Sequence, residues 1–156
     1  MDGNVVMAQR TIPAPPERIF AMLSDATQHQ SFDGSGTVRG NGRSDVEPLR
    51  KGSVFGMSMR IGLSYSTVNT VIEYEQDRRI AWQTTGAGLL RHVLGGRIWR
   101  YELEPVDGGT RVRETWDLSR DKQRLLIGRT SIPAATEQNI SRTLERIEAA
   151  LTNVGG

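Results

Sequence analysis

From Thr130 onward the chain repeats apolar residues at Ile140, Leu144, Ile147 and Leu151. Steps of four, three and four put all of them on one face of a helix. Pro133 stands where a first helical turn tolerates it, Thr130 and Ser131 precede it as caps, and Gly155 and Gly156 close the chain. A long helix with one apolar face needs an apolar surface to lie on, and the residues before it read as strands.

Phe55, Met57, Met59 and Ile61 alternate with Val54, Gly56, Ser58 and Arg60, the period of a strand. Residues 64–75 are rich in β-branched and aromatic side chains, and 79–85 form a shorter strand containing Trp82. Residues 97–104 place Trp99, Tyr101 and Leu103 on one face; 110–118 do the same with Val112, Glu114, Trp116 and Leu118. Pro105-Val106-Asp107-Gly108-Gly109 between them is a hairpin signal, so these two strands pair antiparallel. At the front, residues 4–12 read as a strand, and Ala14-Pro15-Pro16-Glu17 opens a helix with Ile19, Phe20 and Leu23 on one face. Asp25-Ala26-Thr27-Gln28 resembles a capping box for a second short helix, and the Gly, Ser and Asn of 33–45 make turns at a flexible rim.

Two segments stay open. Gly86 to Gly96 brackets Leu89-Leu90-Arg91-His92-Val93-Leu94 with glycines, which reads as a lid, a self-association segment of a homodimer, or an ordinary hairpin. Residues 121–128 read as a short helix or a crossing loop.

At 156 residues the chain fits one domain spanning 1–156. Its net charge is +2, and all but two of its twenty cations are arginines scattered over the elements. Nucleic-acid binding wants a concentrated basic stripe, so no nucleic-acid partner is expected. Without cysteine there is neither disulfide nor thiolate chemistry. No apolar run spans a bilayer, and Met1-Asp2-Gly3-Asn4 lacks the pattern of a secretory signal; a cytoplasmic protein with no integral membrane association is the expectation.

The order of elements, strand, two short helices, antiparallel strands and long helix, resembles the helix-grip fold of START-related (SRPBCC) proteins, and within it the small bacterial polyketide cyclase/dehydrase-like group. Ile12-Pro13-Ala14-Pro15-Pro16-Glu17-Arg18-Ile19-Phe20, Phe32-Asp33-Gly34-Ser35-Gly36, Arg79-Ile80-Ala81-Trp82 and Trp99-Arg100-Tyr101-Glu102-Leu103 carry the likeness. The resemblance implies an α+β fold, a curved antiparallel sheet wrapped around the C-terminal helix, and a cavity for a small hydrophobic molecule between them. It transfers no catalytic signature and no cofactor.

Glu114 is the acid of most interest, because alternation sets it on an otherwise apolar face, where desolvation is costly without a partner. It reads as a ligand anchor, an acid/base raised by burial, an ion pair with Arg97, or a residue turned to water. His29 and Asp33 together would be a minimal acid/base pair, whereas singly they read as a solvated imidazole and a turn former. Phe55, Met57, Met59, Trp99, Tyr101, Trp116 and Ile140 are the expected cavity lining, with core packing as the alternative for each. The two histidines, His29 and His92, lie too far apart for a zinc motif, so no metal site is expected.

Overall fold

The computed structural model describes residues 3–41, 47–61 and 63–153. The closing glycines and residues 42–45 of the rim stretch lie outside the described residues, as does the side chain of Ile61. Strand β1 (Val5–Ile12) leads to α1 (Pro16–Leu23), a 3-10 turn (Ala26–Gln28), α2 (His29–Phe32) and β2 (Val38–Asn41). Then come β3 (Val54–Ile61), β4 (Leu63–Glu75), β5 (Arg79–Gly86), a 3-10 turn (Gly88–His92), β6 (Gly95–Val106) and β7 (Gly109–Asp117). The short α3 (Arg124–Ile127) precedes α4 (Ile132–Thr152), so both open segments contain helical turns.

The seven strands form one antiparallel sheet in the order β1-β7-β6-β5-β4-β3-β2. The first strand therefore pairs with the last, and α1 and α2 carry the chain from one sheet edge to the other. Val106 pairs with Gly109 across the Asp107-Gly108 turn, where Gly108 takes φ 84°, a conformation glycine adopts without a Cβ penalty.

Local capping differs in detail from the sequence expectation. The Asp25 carboxylate accepts from the Thr27 N–H at 3.0 Å, and the Gln28 side chain donates to that carboxylate at 2.9 Å instead of reaching back to the backbone. At α4, the Ser131 hydroxyl makes no capping bond, and Thr130 Oγ1 accepts the Ile132 N–H at 3.2 Å.

Helix α4 lies against β1, β7, α1 and α2. Its C-terminal half sets Leu144 and Ile147 against Ile12, Ile19, Phe20, Leu23 and Val112, all fully buried or nearly so. Each such side chain contributes about 1.5–3 kcal/mol by leaving water. The N-terminal half turns Ala135, Thr136, Asn139 and Thr143 toward the sheet. These side chains are too small to fill the concavity, and a space remains.

Candidate functional site

That space is a cavity of about 600 Å³, bounded by the concave face of β3–β7, by α2 and by the N-terminal half of α4. The size is that of sites for drug-sized molecules. Met57, Met59, Trp99, Tyr101, Glu114, Trp116 and Ile140 all reach its surface, and so do His29 and Asp33. Phe55 does not: it is 1% exposed and packs edge-on to His29 and Trp82, with ring centroids 5.3 and 5.6 Å away. It supports the wall from behind.

The floor is a row of tryptophans. Trp82 on β5 pairs with Trp99 on β6, which pairs with Trp116 on β7, and directly opposed residues share a sheet face. The sequence puts Trp82 in a strand but does not place it on the cavity face. Its alternation with Ile80 was legible, but the β5–β6 connection is long and a register shift interrupts the pair between Thr84 and Thr85, so nothing local tied it to Trp99. Asn69, Thr84, Leu90 and Ile132 also line the cavity and were not anticipated; the small residues on one half of α4 were the available hint.

His29 is no solvated surface residue. It is 2% exposed and stacks on Trp82 at 4.9 Å between centroids. Its Nε2 lies 2.9 Å from the Leu23 carbonyl oxygen, which only accepts, so Nε2 carries the proton and Nδ1 presents a lone pair. Burial pushes the imidazole down to about 4, against the opposing pull of the Leu23 carbonyl and Asp25. Nor do His29 and Asp33 form a dyad. The Asp33 carboxylate accepts from the N–H groups of Ser35, Thr37 and Val38, each at 3.1 Å, and from the Ser35 hydroxyl at 2.8 Å. This is the role of a turn former.

Glu114 is 2% exposed. Arg97, its candidate partner, donates instead to the fully buried Asp121 at 2.9 Å. Tyr101, directly across on β6, sets its hydroxyl against the Glu114 carboxyl. Desolvation pushes Glu114 up to about 8; Tyr101 draws it down, and the nearby Asp33 charge adds to the rise. At pH 7 Glu114 is therefore mostly a neutral carboxylic acid, and a neutral acid can donate.

Three buried side-chain polar atoms have no hydrogen-bond partner among the described residues: His29 Nδ1, Glu114 Oε2 and Trp116 Nε1. All three residues line this one cavity. Such groups cost free energy when desolvated alone, about 1–3 kcal/mol each. They put three polar atoms without partners, from α2 and β7, among the lining residues of one largely apolar chamber. No group of three or more His, Asp or Glu among the described residues is placed to hold a metal ion, and no described helix is long and apolar enough to cross a membrane.

Comparison with known proteins gives matching results. A family model described as polyketide cyclase / dehydrase and lipid transport matches residues 5–152. The uncharacterized protein Rv0088 of Mycobacterium tuberculosis is 36% identical over 108 residues, 68% of this chain and 44% of that protein; the chain thus spans less than half the length of that curated relative. Among solved structures, protein Ms6760 from Mycobacterium smegmatis superposes with a TM-score of 0.71 at 17% identity, covering 97% of this chain and 93% of the other. Protein NE0264 from Nitrosomonas europaea superposes with a TM-score of 0.71 at 16% identity, covering 98% and 97%. At these identities the two structures establish the fold alone.

Proposed function

Since the chain belongs to the polyketide cyclase/dehydrase and lipid transport family, we propose that it binds a small, largely apolar molecule in the cavity, its polar groups held by Glu114, His29 and Trp116. The observation that carries this reading is the set of three unpartnered polar atoms on residues that line a single cavity. An indole N–H needs an acceptor, His29 Nδ1 needs a donor, and a protonated Glu114 both donates and accepts. A neutral head with hydroxyl and carbonyl groups satisfies all three. An ammonium offers nothing to the indole, and a carboxylate meets the Asp33 charge. The aromatic floor suits an aromatic, polyketide-like or lipid-like body.

Two expected results follow from this reading. First, the chain's three tryptophans all line the cavity, so a hydroxylated aromatic or polyketide-type ligand quenches or shifts the intrinsic emission. Trp82→Phe, Trp99→Phe and Trp116→Phe each remove part of that response. Unchanged emission across a broad panel of such compounds, with no small molecule carried through native mass spectrometry, would sink the proposal. Second, affinity falls by roughly tenfold, the worth of one hydrogen bond, as pH rises through about 8 and Glu114 ionises. Glu114→Gln keeps a donor at all pH and flattens that dependence; a titration curve of Kd against pH for both proteins checks it.

One feature supports a second reading, a cyclase or dehydratase. A carboxyl raised to about 8 and a neutral imidazole face the same chamber, which is an acid and a base awaiting a β-hydroxy carbonyl compound. His29 Nδ1 would take the proton next to the carbonyl, and Glu114 would give its proton to the departing hydroxyl, releasing water. Turnover of such a substrate, lost in Glu114→Leu, would select this reading. Binding without turnover would leave the first.

A further inference from the structure

We propose that the cavity mouth docks on an anionic lipid bilayer. The proposal goes beyond the ligand reading, because it concerns the outer rim of the chamber and what that rim meets outside the molecule.

Among the described residues, most of the exposed large apolar side chains stand on two segments. Leu89, Leu90 and Val93 stand on the 3-10 turn before β6, and Leu125, Leu126 and Ile132 stand on α3 and the start of α4. Leu89 is 85% exposed, Leu125 68% and Leu126 67%. Leu90, Gln123 and Ile132 line the cavity, which places both segments at its mouth. Lys122 joins them: its Nζ donates to the carbonyls of Arg91 at 2.9 Å and His92 at 2.6 Å, and its N–H donates to Gly95 at 3.1 Å. The two apolar turns thus form one surface beside the opening.

The charge on these two segments has one sign. Residues 86–101 contain Arg91, Arg97 and Arg100 and no acid; residues 122–136 contain Lys122, Arg124 and Arg129 and no acid. Arg97 is taken by buried Asp121, and Arg100 by Glu73. Arg91, Arg124 and Arg129 remain exposed between the leucines, and Glu137, the next acid, is a further turn along α4. Leucines interleaved with arginines on single helical turns match a bilayer surface: the apolar side chains enter the acyl boundary, and the guanidiniums sit among anionic headgroups. An apolar ligand could then pass between bilayer and cavity without crossing water.

The test is sedimentation of the whole chain with phosphatidylcholine vesicles, with and without phosphatidylglycerol. Binding to the anionic vesicles should exceed binding to the neutral ones by at least about tenfold and weaken with salt. Arg91→Gln and Arg124→Gln should each cost about fivefold. Leu89→Asp with Leu126→Asp should cost at least about tenfold. These positions are exposed, so unchanged melting temperatures will confirm that the variants fold. Absent or equal binding to the two vesicle types overturns the proposal, as does binding that none of the variants alters. A dimer in solution that Leu89→Asp dissociates, with no vesicle binding by the wild type, also overturns it and assigns the surface to a second copy. Ligand-induced tryptophan emission in vesicle-free solution reads the cavity separately. If emission responds and vesicles do not bind, only the docking proposal falls.

Discussion

Glu114→Gln stabilises the fold at pH 8 by about 4–5 kcal/mol and changes stability little near pH 4.5. The sign follows from proton linkage. Glu114 titrates near 8 in the folded chain against an ordinary value of 4.5, so between those limits the unfolded chain sheds a proton that the folded chain keeps. Stability is therefore lost as pH rises from 4.5 toward 8, at about 1.4 kcal/mol per pH unit, and glutamine, which does not titrate, escapes the loss. His29 acts in the opposite direction: with its folded value down at about 4, it lowers stability as pH falls through 6.5 toward 4. Both chains contain His29, so its contribution cancels when the two are compared at each pH. Urea denaturation at pH 5 and pH 8 checks the expectation. A loss of about 3 kcal/mol or more in the glutamine variant at both pH values would mean a buried cation depends on this carboxylate, and the anchor role would go with it.

Gly34→Ala destabilises by about 3 kcal/mol or more, a packing effect with no contribution from glycine's unusual dihedrals. A Cβ there would lie 2.1 Å from the Asn139 carbonyl oxygen and 2.6 Å from the Thr143 nitrogen, both backbone atoms of α4 that cannot swing aside. The loop after α2 would have to leave the helix, breaking the Gly34 N–H bond to Thr143 Oγ1 at 2.9 Å and the bond from Arg146 to the Asp33 carbonyl. Overpacking of this severity exceeds the usual 1–3 kcal/mol range. Gly36→Ala is the contrast: its Cβ meets nothing within 4 Å but must adopt φ +68°, at a cost of about 1 kcal/mol. Since Asp33 and Thr143 both line the cavity, Gly34→Ala should also weaken ligand binding. Comparable losses at the two glycines would show that the α2–α4 seam gives way to an added methyl group.

The α+β helix-grip order was legible because each element carries its own period, and the antiparallel pairing of β6 with β7 followed from the hairpin signal at 105–109. Alternation alone grouped Met57 with Met59, Trp99 with Tyr101, and Glu114 with Trp116, each pair on one face of its own strand. Phe55 shares that alternation with Met57 yet sits behind the wall, because sheet phase reports a face and not the depth of packing over it. Trp82 went unplaced because β5 and β6 meet across a long connection with a register shift.

The chain's sequence alone therefore determined which residues share a face: the apolar stripe of α4, the concave face of β6 and β7, and a carboxyl set among apolar neighbours. Periods of 3.6 and 2 are local properties of the backbone, and they survive without knowledge of what each face meets. Tertiary structure decided every partnership between faces. It gave Arg97 to Asp121 and left Glu114 with only a phenol, drew His29 out of a polar stretch onto Trp82, and pressed Gly34 against the α4 backbone. Those outcomes depend on contacts between residues far apart in the chain, where desolvation and close packing, not local period, set which polar atoms find a partner and which are left facing the cavity.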